Sequence, residues 1–122
     1  MAEKSYKDFY ELQIYRVGYN LLMEIYNLTV TFPESEKFNL TSQLRRSANS
    51  IVANIAESHG RYSYNDKVRV LYIARGEILE TRSHLAVAYG RQYLDDTTFK
   101  KINTAYCDLA KEMNSYIKSI KV

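Results

Sequence analysis

Four groups of residues in this chain are of types that do chemistry. Ser115-Tyr116-Ile117-Lys118 has the S-x-x-K spacing in which a lysine amine activates a serine hydroxyl. Glu80 and His84 stand four residues apart, which puts a carboxylate and an imidazole on one face of a helix. Cys107 is the only thiol. Arg45, Arg46, Arg61, Lys67 and Arg69, with Tyr62 and Tyr64 between them, combine fixed positive charge with aromatic rings. That mixture neutralises phosphates and stacks on bases.

The catalytic readings do not hold up. The S-x-x-K match is short, lies near the C-terminus of an expected helix, and lacks the S-D-N and K-T-G companions that accompany it in enzymes. Glu80 and His84 read as a surface pair. His59 and His84 fall on different expected helices, and no Cys or His cluster has metal-ligand spacing. Cys107 sits between apolar positions with no local sign of activation, and is expected to be a small buried side chain. There is no G-x-G-x-x-G, Walker loop or G-x-S-x-G. The expectation is a protein that is not an enzyme, with no cofactor and no metal.

The elements that carry these residues are helical. The chain has 122 residues, enough for one domain with a real core. With one proline and four glycines it has few places to interrupt a helix. Its net charge of +3 permits an anionic partner without demanding one. The start "MAEKSYKDFYELQ" has no apolar signal-like region and no stretch of membrane-spanning length follows, so a cytoplasmic protein with no membrane association is expected. The lone cysteine fits a reducing compartment.

Apolar periodicity predicts helices over about 9–31, 40–59, 64–90 and 97–121 in a single domain, residues 1–122, with residues 1–8 frayed. Ile14, Gly18, Leu21, Ile25 and Leu28 mark the first helix, with Tyr15, Tyr19, Leu22 and Tyr26 as a second stripe beside them. Pro33 ends it. Asn39 is the expected cap of the second helix and Gly60 its C′ residue. Ser63 and Asp66 form a capping-box-like start for the third, and Asp95 or Asp96 caps the fourth. The fourth carries a coiled-coil-like seam from Phe99 to Ile120. Four long helices joined by short loops predict an all-α, antiparallel up-down-up-down four-helix bundle.

One stretch works against its own pattern. In "LYIARGEILETRSHLAVAY", Arg75 and Arg82 fall in register with Leu71, Ile78 and Leu85. A guanidinium keeps its charge when buried, so each must meet a carboxylate or carbonyls, or lie at a subunit contact. Glu57, or Glu24 on the first helix, is the candidate partner for Arg75. Gly76 offers a place for another helix to approach, and Glu80 lies off the arginine stripe. Together Glu57, Arg75, Gly76, Glu80 and Arg82 read as a structural polar network or a subunit interface. The apolar stripes are wider than one small bundle needs, which favours a homo-oligomer. The five basic residues are expected to flank one region, where the second and third helices turn back on each other near Gly60.

The run "FNLTSQLRRSANSIVANIAESHGR" followed by "VLYIARGEILET" resembles the 23S rRNA-intervening-sequence, or S23-type, protein family. The matching residues are Leu40 to Arg46, Ser50-Ile51, Asn54 to Glu57, Gly60-Arg61, Tyr72 to Gly76 and Glu80. The chain departs at Val52, where many relatives have proline, and at Ser58, where many have glycine. The resemblance implies a four-helix bundle, often a ring-shaped homopentamer. Some members are encoded inside 23S rRNA intervening sequences, and a distant relative binds nucleic acid and a reverse transcriptase. The expected function is that of a homo-oligomeric bundle associated with RNA or DNA through Arg45, Arg46, Arg61, Lys67 and Arg69. The alternative is an assembly module that docks another protein and binds no nucleic acid.

Overall fold

A computed structural model describes residues 8–120. The four helices are α1 (Gln13–Thr29), α2 (Leu40–Gly60), α3 (Tyr64–Gly90) and α4 (Asp96–Ser119). Short 3-10 turns at Phe9–Glu11 and Glu34–Glu36 precede α1 and α2. The described residues contain no strand. Among them no helix is long and apolar enough to cross a membrane.

Each helix packs against its neighbours in chain order, α4 returns to α1, and the backbones of the diagonal pairs α1–α3 and α2–α4 stay more than 8 Å apart. Short connections therefore close an antiparallel square around a single core. Leu12, Ile25, Leu44, Ile51, Ile55, Leu71, Ile78, Leu85, Leu109 and Met113 fill it. Each such side chain contributes about 1.5–3 kcal/mol by leaving water. Gly18 brings α1 close: a Cβ there would lie 3.1 Å from Val52 Cγ1. α2 and α3 form the tightest seam. At its centre Thr81 Oγ1 lies 2.8 Å from Ser47 Oγ, and both side chains are fully buried. α2 runs unbroken through Val52 and Ser58, both buried, and the Ser58 hydroxyl donates to the Ile55 carbonyl.

Several boundaries differ from those the sequence predicts. The first helix does not start at residue 9. Asp8 caps a 3-10 turn, and the backbone then extends at Leu12, which drops into the core before α1 begins. Asp8 is thus an ordered cap; residues 1–7, expected to fray, lie outside the described residues. Asn39 occupies the cap position of α2, yet its side chain makes no capping bond. Glu36 Oε1 accepts from the Leu40 amide instead. Gly60 is not a left-handed C′ residue but the last residue of α2, followed by extended Arg61. The one positive φ among the described residues belongs to Gln92, at 65°. There the Gln92 and Tyr93 amides close onto the Tyr89 and Ala88 carbonyls, a Schellman turn with glutamine in glycine's usual place. The Ser63 and Asp95 caps form as expected, each accepting from an amide three residues on. α4 ends at Ser119, and residue 121 lies outside the described residues.

Candidate nucleic-acid interface

α2 separates the five basic residues. Arg46 and Arg61 are 15 residues apart, so about 22 Å of helix lies between them. The expectation of one basic region at the α2–α3 turn is therefore corrected to two groups.

At the turn every charge has local work. Arg61 pairs with Glu57 at 3.4 Å and Arg69 with Asp66 at 3.9 Å. Lys67 Nζ donates to the Ser58 and His59 carbonyls, at 3.4 and 2.9 Å, and so closes the open C-terminal end of α2. Tyr62 is fully exposed, while Tyr64 is half-buried.

At the head of α2 the arrangement differs. Arg45 Nε donates to Thr29 Oγ1 at 2.7 Å, and its guanidinium lies 4.9 Å from the Tyr26 ring. Neither partner is anionic, and among the described residues no carboxylate pairs with Arg45. Arg46 meets Glu80 and Glu77 of α3, and Glu80 also meets His84 at 3.4 Å. The expected Glu80–His84 pair is thus one arm of an α2–α3 ion network. Beside the two arginines Lys37 stands over the ring of Phe38, 5.3 Å away, and Phe38 is 89% exposed. Tyr26, Lys37, Phe38, Thr41, Ser42, Arg45, Arg46 and Asn49 line a groove of about 390 Å³. It offers cations, flat rings, hydroxyls and an amide on one face, the donor set that tracks a phosphate backbone and stacks bases.

The sequence reading found Arg45 and Arg46 but missed Lys37, Phe38, Tyr26 and Asn49. A signal was present. An apolar residue just before a helix cap ordinarily packs on the fourth helical residue, and here that residue is Gln43, so Phe38 has no apolar partner to staple to.

Arg75 and Arg82 each meet a carbonyl oxygen, but not on the residues expected. Arg75 Nη1 donates to Asn114 Oδ1 at 2.7 Å and its guanidinium lies 4.6 Å from the Tyr72 ring. Arg82 Nε donates to Asn103 Oδ1 at 2.8 Å. Both partners are amides of α4, and both arginines are half-buried. Glu57 does not pair with Arg75, whose side chain turns to Asn114 on α4; it pairs with Arg61 instead. Gly76 is exposed, and a Cβ there would meet nothing within 4 Å, so no helix of the same chain approaches it. Cys107 is half-buried rather than buried. Ser115 and Lys118 are both exposed near the end of α4. No group of three His, Cys, Asp or Glu side chains among the described residues could hold a metal.

No curated protein matches the chain. Among solved structures it is similar to a protein of unknown function from the S23 ribosomal protein family of Bacteroides thetaiotaomicron, with 27% identity and a TM-score of 0.78 over 86% of this chain and 95% of that one. The model of the family described as 23S rRNA-intervening sequence protein matches residues 10–115, nearly the whole described bundle. The resemblance carried by Leu40–Glu57 and Tyr72–Glu80 is thus borne out, and the chain belongs to the 23S rRNA-intervening sequence protein family.

Proposed function

We propose that this protein is a non-catalytic, self-assembling helical bundle that holds single-stranded RNA along the groove at the head of α2. The observation that supports this reading best is Phe38, an almost fully exposed ring beside Lys37 and an Arg45 paired with no described carboxylate. An exposed phenylalanine costs solubility and adds nothing to this core. Between two cations it is a stacking platform, and every base has a face to stack on. Of the five basic residues, Arg45 carries the contact, and Arg46, paired with Glu77 and Glu80, borders the same groove. Arg61, Lys67 and Arg69 hold the α2–α3 turn.

Fluorescence anisotropy with a labelled single-stranded RNA tests it. Phe38→Ala removes one stacked base, worth about 1–3 kcal/mol, so affinity falls roughly 5- to 150-fold. Arg45→Gln keeps a donor for Thr29 but removes the charge, and the dependence of binding on salt becomes shallower by about one ion. Unchanged affinity in both variants, or no binding by the unmodified protein at low salt, removes the reading. Retained capture of a specific protein partner would then favour the docking module.

A further inference from the structure

The groove at the head of α2 is lined by three cations, and two of them already have anionic partners. Lys37 Nζ lies 4.0 Å from Glu34, and Arg46 meets Glu77 at 3.8 Å and also Glu80. Arg45 alone of the three has no carboxylate partner among the described residues. Its side chain is half-buried and held from two sides. The buried Thr29 hydroxyl donates to the Ile25 carbonyl at 2.8 Å and accepts from Arg45 Nε at 2.7 Å, while the Tyr26 ring lies 4.9 Å from the guanidinium. Nε is thereby occupied, and the Nη edge of the fork remains for an oxyanion. The groove is also small: about 390 Å³, near the lower end of the roughly 300–1,000 Å³ that holds one small molecule. Carboxylates on both margins and room for a single unit oppose a strand that runs through on several phosphates. One phosphate and one base fit.

We infer that the unit this groove takes is one nucleoside 5′-monophosphate, its phosphate on Arg45 and its base on the exposed Phe38 ring. The unit is the 5′ end of an RNA strand or a free nucleotide, since both present the same chemistry. This rests on the reading of the groove as an RNA site and names the part of the RNA that it holds. A terminal phosphate monoester carries up to about twice the charge of an internal diester near neutral pH, and so gains more from one fixed guanidinium. A strand seated by its end leaves the groove on one side only. An internal nucleotide would run its backbone out past Glu34 on one margin and Glu77 and Glu80 on the other, where like charges repel. Phe38 separates a nucleotide from a bare phosphate, because only the nucleotide has a face to stack.

The test uses full-length chain and a short oligoadenylate labelled at its 3′ end, either 5′-phosphorylated or 5′-hydroxyl, read by fluorescence anisotropy. The phosphorylated strand should bind about 10- to 100-fold tighter, the size expected of charge-assisted hydrogen bonds to one guanidinium. Arg45→Gln should abolish that ratio. Glu77→Gln with Glu80→Gln, both near isosteres, should raise affinity for the 5′-hydroxyl strand by freeing Arg46, and so narrow the ratio; circular dichroism checks that both variants stay helical. Calorimetry and displacement with adenosine 5′-monophosphate identify the source. Displacement as tight as the strand's own binding assigns the site to free nucleotide, and weaker displacement assigns it to a strand end. Equal binding of the two strands, a ratio that survives Arg45→Gln, or displacement by inorganic phosphate as strong as by the nucleotide overturns the inference. Tight RNA binding that ignores the 5′ end removes only this inference and leaves the RNA groove standing. Binding of the nucleotide without any strand removes the RNA reading alone, and binding of neither removes both.

Discussion

The Ser47–Thr81 pair allows the α2–α3 seam to be measured in energy. The two hydroxyls are 2.8 Å apart and fully buried, and each also lies near a carbonyl of its own helix, Leu44 for Ser47 and Glu77 for Thr81. Thr81→Val keeps the shape of the side chain but leaves the Ser47 oxygen without its cross-helix donor. Ser47→Ala leaves the Thr81 proton with only the Glu77 carbonyl. Each single change should cost about 0.5–1.5 kcal/mol, the net worth of the one hydrogen bond lost. Removing both strands nothing, so the double variant should cost about 1 kcal/mol less than the two singles together. In a chain of this size each 1 kcal/mol moves Tm by about 3–5 °C. The assay is urea unfolding at one fixed protein concentration, because assembly adds its own stability. Costs that add to within about 0.3 kcal/mol, with m unchanged, would refute the claim that these hydroxyls bond across the seam.

Three further outcomes are expected. Gln92→Gly should raise stability by about 1 kcal/mol, since the left-handed backbone at φ 65° costs an L-residue that much and glycine nothing, and a lower Tm would mean the glutamine side chain holds the turn. Tyr106→Phe should stabilise by about 1 kcal/mol, because its buried hydroxyl has no hydrogen-bond partner among the described residues; burial is also the main cause that drives this phenol's pKa up, and a destabilised variant in a denaturant titration would show that the hydroxyl is bonded. The amide and hydroxyl of Thr98 hold Asp95 below the ordinary aspartate value, so its folded pKa is the lower one. Its contribution is then full above the unfolded value and is lost as pH falls through the folded one; Asp95→Asn should flatten the decline of Tm below about pH 4, and an unchanged slope would count against the cap.

The four helices were legible because their apolar residues recur at helical spacing and because Pro33, Ser63 and Asp95 punctuate them. What was not legible was set by competition between neighbours. Asn39 and Glu36 are both placed by sequence to cap α2, and only the fold decides that the carboxylate takes the Leu40 amide, since Tyr93 from the last loop fixes the other Glu36 oxygen at 2.8 Å. Gly60 and Gln92 exchanged the roles their types suggest, because the α2–α3 turn runs on in extended backbone while the α3–α4 turn must reverse. The grouping of the basic residues failed for a simpler reason. Sequence proximity to a turn says nothing of the length of helix in between, and α2 carries Arg46 about 22 Å from Arg61.

The two arginines set into the α3 stripe connect these threads. Their partners are amide oxygens of Asn103 and Asn114, which fix the register of α3 against α4 without cancelling charge. A carboxylate at either position would have made a neutral pair, stable in isolation and indifferent to what lies beyond it. An asparagine leaves a net positive charge on each guanidinium, half-buried on α3 near the exposed Tyr72 and Leu79. In one subunit that arrangement is poorly compensated: apolar surface faces water, and the fixed charge next to it has only dipoles to meet. Two fixed guanidinium contacts seven residues apart admit one register of α3 on α4, where an apolar ridge alone would permit sliding.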